Sequence, residues 1–98
     1  MSNVRAILMK SGDNVATVVE MASPGTEVTF MLDGVPGSQT SLDPIPFGHK
    51  IAIVDITSGQ PIRKYGESIG AATAHIKAGQ HVHVHNTESC RGRGDKNH

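Results

Sequence analysis

Thr57-Ser58-Gly59-Gln60-Pro61-Ile62 lies between two short apolar runs and sets the pattern of the expected fold. A glycine in a tight polar turn lets the chain reverse, because glycine tolerates positive φ, and the apolar residue three positions later starts the next strand. The same arrangement recurs in Ser23-Pro24-Gly25-Thr26-Glu27-Val28 and in Lys77-Ala78-Gly79-Gln80-His81-Val82. Its spacing is irregular, which points to hairpins wrapped into one compact unit rather than a solenoid. Working outward, period-two patterning predicts strands over 5–9, 15–20, 27–32, 50–56, 61–65 and 81–85. Turn signals separate them at Ser11-Gly12-Asp13, at Leu32-Asp33-Gly34 and at Pro44 with Pro46. The Ala-rich stretch 68–76 reads as extended, since Gly70 and Thr73 suit a helix poorly. The expected fold class is therefore all-β, with one domain over 1–88 and a flexible polar tail over 89–98.

Composition narrows the function classes. The sequence has 98 residues, enough for one domain. A domain of this size buries roughly two-thirds of its unfolded surface. Phe30, Phe47 and Tyr65 are the only aromatic residues, so the core must be built from Val, Ile, Leu, Met and Ala. Such a core has little room for a deep enclosed pocket, and catalysis would call for a partner chain. Net charge is zero, which argues against a nucleic-acid or acidic-membrane footprint. No apolar run approaches the roughly 20 residues that span a bilayer. The single cysteine, Cys90, excludes an internal disulfide. With no leader pattern at the start, a reducing, cytoplasmic setting is expected.

The most unusual segment is His81-Val82-His83-Val84-His85-Asn86. As a strand it would present three imidazoles on one face and two valines on the other. Imidazole is the commonest metal ligand and titrates near neutral pH, although a solvated strand face carrying polar rings is the plainer alternative. Gly48-His49-Lys50 stands at a loop-to-strand junction, where His49 can meet a ligand and Lys50 a carboxylate; a turn glycine followed by two exposed polar residues is the competing reading. Lys64-Tyr65-Gly66 can bring backbone N–H groups, a cation and a phenol towards an anion, or can be a structural turn. Asp13-Asn14 can supply ligands or close an Asx turn. The Arg91, Arg93 and Lys96 tail suits contact with a partner. Cys90 lies in that tail and no serine sits in an elbow-like setting, so nucleophilic catalysis finds no support.

The order of these motifs resembles the amino-terminal domain of the altronate and galactarate dehydratase family. Asp13-Asn14-Val15-Ala16, Gly48-His49-Lys50, Asp55-Ile56 with Gly59, Lys64-Tyr65-Gly66 with Ile69-Gly70, and His81 to Asn86 follow one another as they do there. The resemblance runs from about Asp13 to Asn86, and the histidine run is closer to the altronate branch. One departure is Met9-Lys10-Ser11, which stands where relatives often carry a histidine before the Asp-Asn pair. The resemblance implies a SAF-type, β-clip fold. It also implies the small subunit, or amino-terminal domain, of a hydro-lyase that dehydrates a sugar acid such as altronate to a 2-keto-3-deoxy acid. A separate large catalytic subunit would be its partner, and the polar ending reads as a natural terminus. Alternatives are the small subunit of a sulfolactate sulfo-lyase and a stand-alone module that binds a sugar acid. Implied site residues are His49, Lys50 and Tyr65 for catalysis, Asp13, Asn14, Lys64 and Gly66 for substrate, and His83 and His85 for metal. A divalent ion, iron or manganese, is implied for the assembled enzyme. Self-association of the isolated chain is a further expectation.

Overall fold

The computed structural model describes residues 3–8, 10 and 12–89. The expected tail therefore falls, apart from Ser89, outside the described residues. Among the described residues nine strands are formed: β1 (Asn3–Ile7), β2 (Val15–Val18), β3 (Glu27–Leu32), β4 (Val35–Thr40), β5 (Lys50–Ala52), β6 (Pro61–Lys64), β7 (Glu67–Ala72), β8 (His81–Val82) and β9 (Thr87–Ser89). The all-β expectation holds. Among the described residues no helix is long and apolar enough to cross a membrane. One sheet runs β4-β3-β1-β2-β5-β8 and a second runs β6-β7-β9. β1 and β3 are parallel, and the other pairs are antiparallel.

The turn at Thr57 proves to be one of four. Pro46-Phe47-Gly48-His49 joins the three that the sequence pattern shows, and in each the glycine has positive φ: 87° at Gly25, 80° at Gly48, 91° at Gly59 and 96° at Gly79. In each turn the N–H of the fourth residue donates to the carbonyl of the first, at 2.9–3.0 Å. Glycine at the third position is the requirement of a type II turn. Each glycine N–H in turn donates to a carbonyl in a strand or just past its end, that of Ser41, Val18, Ala72 or Ala52, so every corner is fastened to the frame. The residue just before each turn is wholly buried, and these residues pair as two bridges, Ala22 with Ile45 and Ile56 with Ile76.

Two apolar clusters fill the interior. Val4, Ala6, Ala16, Val18, Val28 and Ile51 belong to one, with the first bridge. Val15, Ala52, Ile62, Ala72 and Val82 belong to the other, with the second bridge. Neighbours Val15 and Ala16 of β2, and Ile51 and Ala52 of β5, point into opposite clusters, since successive strand residues face opposite ways. These two strands are thus buried on both faces, whereas β1 alternates buried and exposed.

Several strands are shorter than their sequence pattern. The run expected over 50–56 leaves the sheet after Ala52, where the Ile53 N–H donates to the Asn14 carbonyl and the chain swings Ile56 across to Ile76. The expected 81–85 strand ends at Val82. The Asn86 side chain causes this: its Oδ1 accepts from the His83 N–H at 3.0 Å and its Nδ2 donates to the His81 carbonyl at 2.8 Å, closing a turn over 83–86. The three histidines therefore do not form one strand face.

Candidate functional site

Strand register builds the site. β5 and β8 pair antiparallel, Lys50 opposite Val82 and Ile51 opposite His81. Extended by one residue, that register sets His49 against His83 and diagonal to His81, the two relations through which cross-strand side chains meet. His49 owes its place to the second glycine turn, which it closes, and His81 directly follows the fourth. The His81 N–H donates to Asp43 Oδ2 at 3.0 Å, which fastens the edge strand at this point. Thr87 Oγ1 donates to the His83 carbonyl at 2.8 Å, which holds the turn carrying the third ring.

The rings gather closely. His49 and His83 stack at 4.1 Å between centroids, His49 and His81 lie at 5.0 Å, and His81 and His83 at 5.4 Å. His49 Nδ1 and His81 Nε2 are 2.8 Å apart, and one donor atom from each of the three rings falls within 4.8 Å of the others. Burial, then the charges of His49, His85 and His83, hold His81 below the ordinary histidine value of 6.5, while Asp43 pulls the other way. Desolvation, then His49, Lys50 and His85, lower His83 likewise. Both rings thus favour the neutral form, the form that coordinates a metal.

The donor set fits a divalent transition ion. The 2.8 Å His49–His81 contact is a hydrogen bond between rings, and the three donors, within 4.8 Å of one another, would have to draw together, since two nitrogens at about 2.1 Å from one ion lie at most about 4.2 Å apart. Three imidazoles with an open side match the three protein ligands of catalytic metal sites. Borderline nitrogen donors of this kind suit iron, cobalt, nickel or zinc rather than magnesium or calcium.

The other residues singled out in the sequence lie at different places. His85 is exposed, with its ring 5.2 Å from that of His81, and it is outside the three-donor group. Lys50 lines a separate cleft of about 190 Å³ with Ile62, Ile69, Val84 and Thr87. Desolvation there, and then the charge of Lys64, lower the Lys50 ammonium below its ordinary value. Lys64 Nζ lies 4.9 Å from the centre of the Tyr65 ring. Tyr65 and Gly66 both have positive φ, 57° and 79°, the mark of a type I′ hairpin turn. Asp13 secures this turn: its carboxylate accepts from the Tyr65 N–H at 2.9 Å, the Gly66 N–H at 2.8 Å and the Lys10 N–H at 3.3 Å. Asn14 holds β6 beside it, accepting from the Arg63 N–H at 2.7 Å and donating to the Pro61 carbonyl at 2.9 Å. His49 and His83 thus come together, while Tyr65, Gly66, Asp13 and Asn14 form a hairpin clamp. His81 is the member that the expected metal pair omitted; pairing 81–83 antiparallel to 49–51 is the sequence signal that identifies it.

Residues 4–90 match the family described as the altronate/galactarate dehydratase SAF domain. Altronate dehydratase of Escherichia coli strain K12 is 43% identical over 77 residues, which cover 79% of this chain and 15% of that protein. The (2R)-sulfolactate sulfo-lyase subunit alpha of Chromohalobacter salexigens is 45% identical over 49 residues, 50% of this chain and 52% of that subunit. Altronate dehydratase of Bacillus subtilis strain 168 is 49% identical over 47 residues, 48% of this chain and 10% of that protein. The matches therefore span a small part of the dehydratases and about half of the sulfo-lyase subunit.

Proposed function

The chain belongs to the altronate/galactarate dehydratase SAF-domain family, and from that premise we propose that it serves a lyase acting on a hydroxy acid, in company with a larger catalytic chain. The convergence of His49, His81 and His83 at one sheet edge carries this reading. Removing water from a sugar acid takes a proton from one carbon and a hydroxyl from the next, leaving an enol that rearranges to the 2-keto-3-deoxy acid. The reaction needs a base, an acid for the departing hydroxyl and positive charge near the developing enolate. His49, His81 and His83 would hold a divalent ion, iron or manganese, which when bound supplies that positive charge. Lys50 and Lys64, near enough for their charges to interact, offer the acid's carboxylate a cationic approach. The larger chain would hold the body of the substrate, and a cytoplasmic location suits the pairing.

A second reading has its own support. The Chromohalobacter sulfo-lyase subunit is 45% identical over 49 residues, 50% of this chain and 52% of that subunit. The parallel elimination, loss of sulfite from sulfolactate, is therefore the alternative chemistry for a split enzyme of this kind.

Co-expression with the larger family chain encoded nearby, followed by assay with iron or manganese against altronate, galactarate and sulfolactate, tests the proposal. Turnover that requires both chains is the expected result, and the substrate consumed separates the two readings. Failure of the chains to associate would refute the subunit role and favour a stand-alone sugar-acid binding module.

A further inference from the structure

We infer that Phe47 and Val84 anchor this domain to the larger catalytic chain, seating in apolar recesses of that chain beside the histidine group; this docking role rests on the subunit reading above. Among the described residues these are the two most exposed large apolar side chains, Val84 at 80% and Phe47 at 72%. Each stands at the second position of a four-residue turn closed by a hydrogen bond. The His49 N–H donates to the Pro46 carbonyl at 3.0 Å, and the Asn86 N–H to the His83 carbonyl at 3.1 Å. One turn thus ends on His49 and the other begins at His83, the two rings that stack at 4.1 Å. Val84 also lines the cleft of Lys50. Leu42, half exposed, adjoins the Asp43 carboxylate that accepts from the His81 N–H, so each of the three histidines has an apolar side chain at hand.

The fold does not ask for an aromatic ring at position 47. The three sibling turns carry Pro24, Ser58 and Ala78 there, and each makes the same closing hydrogen bond. Such a corner favours proline or a small polar residue and gives a large ring little to pack on. Single exposed apolar residues are ordinary on a protein surface. Here the departure from the internal pattern falls on the turn that delivers a site histidine. The occupant follows from that position. In the Escherichia coli relative the matched stretch is 15% of the protein, so there the same domain shares a chain with a far larger body. A rim beside the histidines is the surface such a body must cover to complete their site. An aromatic ring in a desolvated recess, with smaller apolar contacts round it, is the usual anchor of a protein interface. Covering the rim also removes water from beside the rings, where charges then act more strongly.

The test is the calorimetric affinity of the full untagged chain for the larger family chain encoded nearby, with each variant checked for folding by circular dichroism. Phe47→Ser, which copies the sibling turn at Ser58, should weaken association by roughly 30-fold or more, the loss that marks an interface anchor. Val84→Ser should weaken it by roughly 10-fold, and Phe47→Leu by less than Phe47→Ser. Val35→Ser, at an equally exposed apolar position on the far edge strand β4, should leave it unchanged. Turnover by the Phe47→Ser pair should return to the wild-type plateau when the larger chain is in excess, because the ring touches no reacting atom. Equal affinity of Phe47→Ser and the wild type, or an equal loss in Val35→Ser, would overturn the inference and leave the lyase reading in place. A Phe47-dependent pair that turns over none of the three acids would leave the inference standing and remove the lyase reading. A homodimer that Phe47→Ser dissolves, with the pair unaffected, would assign this surface to a second copy and overturn the inference. No association by the wild-type chain would overturn both.

Discussion

A carboxylate that accepts three backbone N–H groups is committed to structure before it is available to a substrate. Asp13 is such a group, 6% exposed, with both oxygens engaged by the Tyr65-Gly66 turn and by Lys10. Removing a buried acceptor leaves its donors unpaired, at about 1–3 kcal/mol each in the worst case. Asp13→Ala should therefore lower the unfolding free energy by about 2 kcal/mol in urea titration. Asp13→Asn should recover little, because its amide turns a donor towards a donor. Unchanged stability with loss of sugar-acid binding would instead give Asp13 the substrate role that the sequence motif suggests. The three histidines differ in legibility. The alternation in 81–85 advertised a cluster of rings, yet which rings meet depends on strand pairing and on Asn86, neither of which a periodicity contains.

At the level of elements, the four glycine turns set the corners and hence the register that gathers the rings. Gly59 has φ 91° and open space where a Cβ would stand, so Gly59→Ala should cost only the left-handed backbone penalty, about 1–2 kcal/mol. Gly79 has φ 96° and a Cβ there would run into the Thr40 carbonyl and crowd the Leu42 and Gln39 side chains. Gly79→Ala should therefore destabilise the chain distinctly more than Gly59→Ala, as read from denaturation midpoints; equal effects would mean that backbone strain alone matters. β3 could be read directly over 27–32, whereas β1, expected over 5–9, forms at Asn3–Ile7. β4 could not, because Val35-Pro36-Gly37-Ser38-Gln39-Thr40 combines Pro, Gly and polar residues. It is an edge strand, where proline is tolerated and little apolar patterning is demanded. The second turn, at Pro46, carries a turn signal in the sequence but lies outside the repeated pattern, because Phe47 and His49 replace the small and polar residues of its siblings.

For the whole molecule, two apolar clusters sharing β2 and β5 give a rigid frame whose edge, at β5 and β8, carries the chemistry. The domain displays a histidine face and a lysine cleft of about 190 Å³. All-β architecture and family were legible from turn spacing and motif order; the separation of the lysine cleft from the histidine face required the fold. The most direct measurement is turnover by the assembled pair carrying His49→Ala or His83→Ala in this chain, with His75→Ala as the control. A fall of roughly 100-fold or more is expected for the first two, in the range of lost proton-transfer or charge-stabilising groups, with association and folding intact. Full activity in either variant would contradict it.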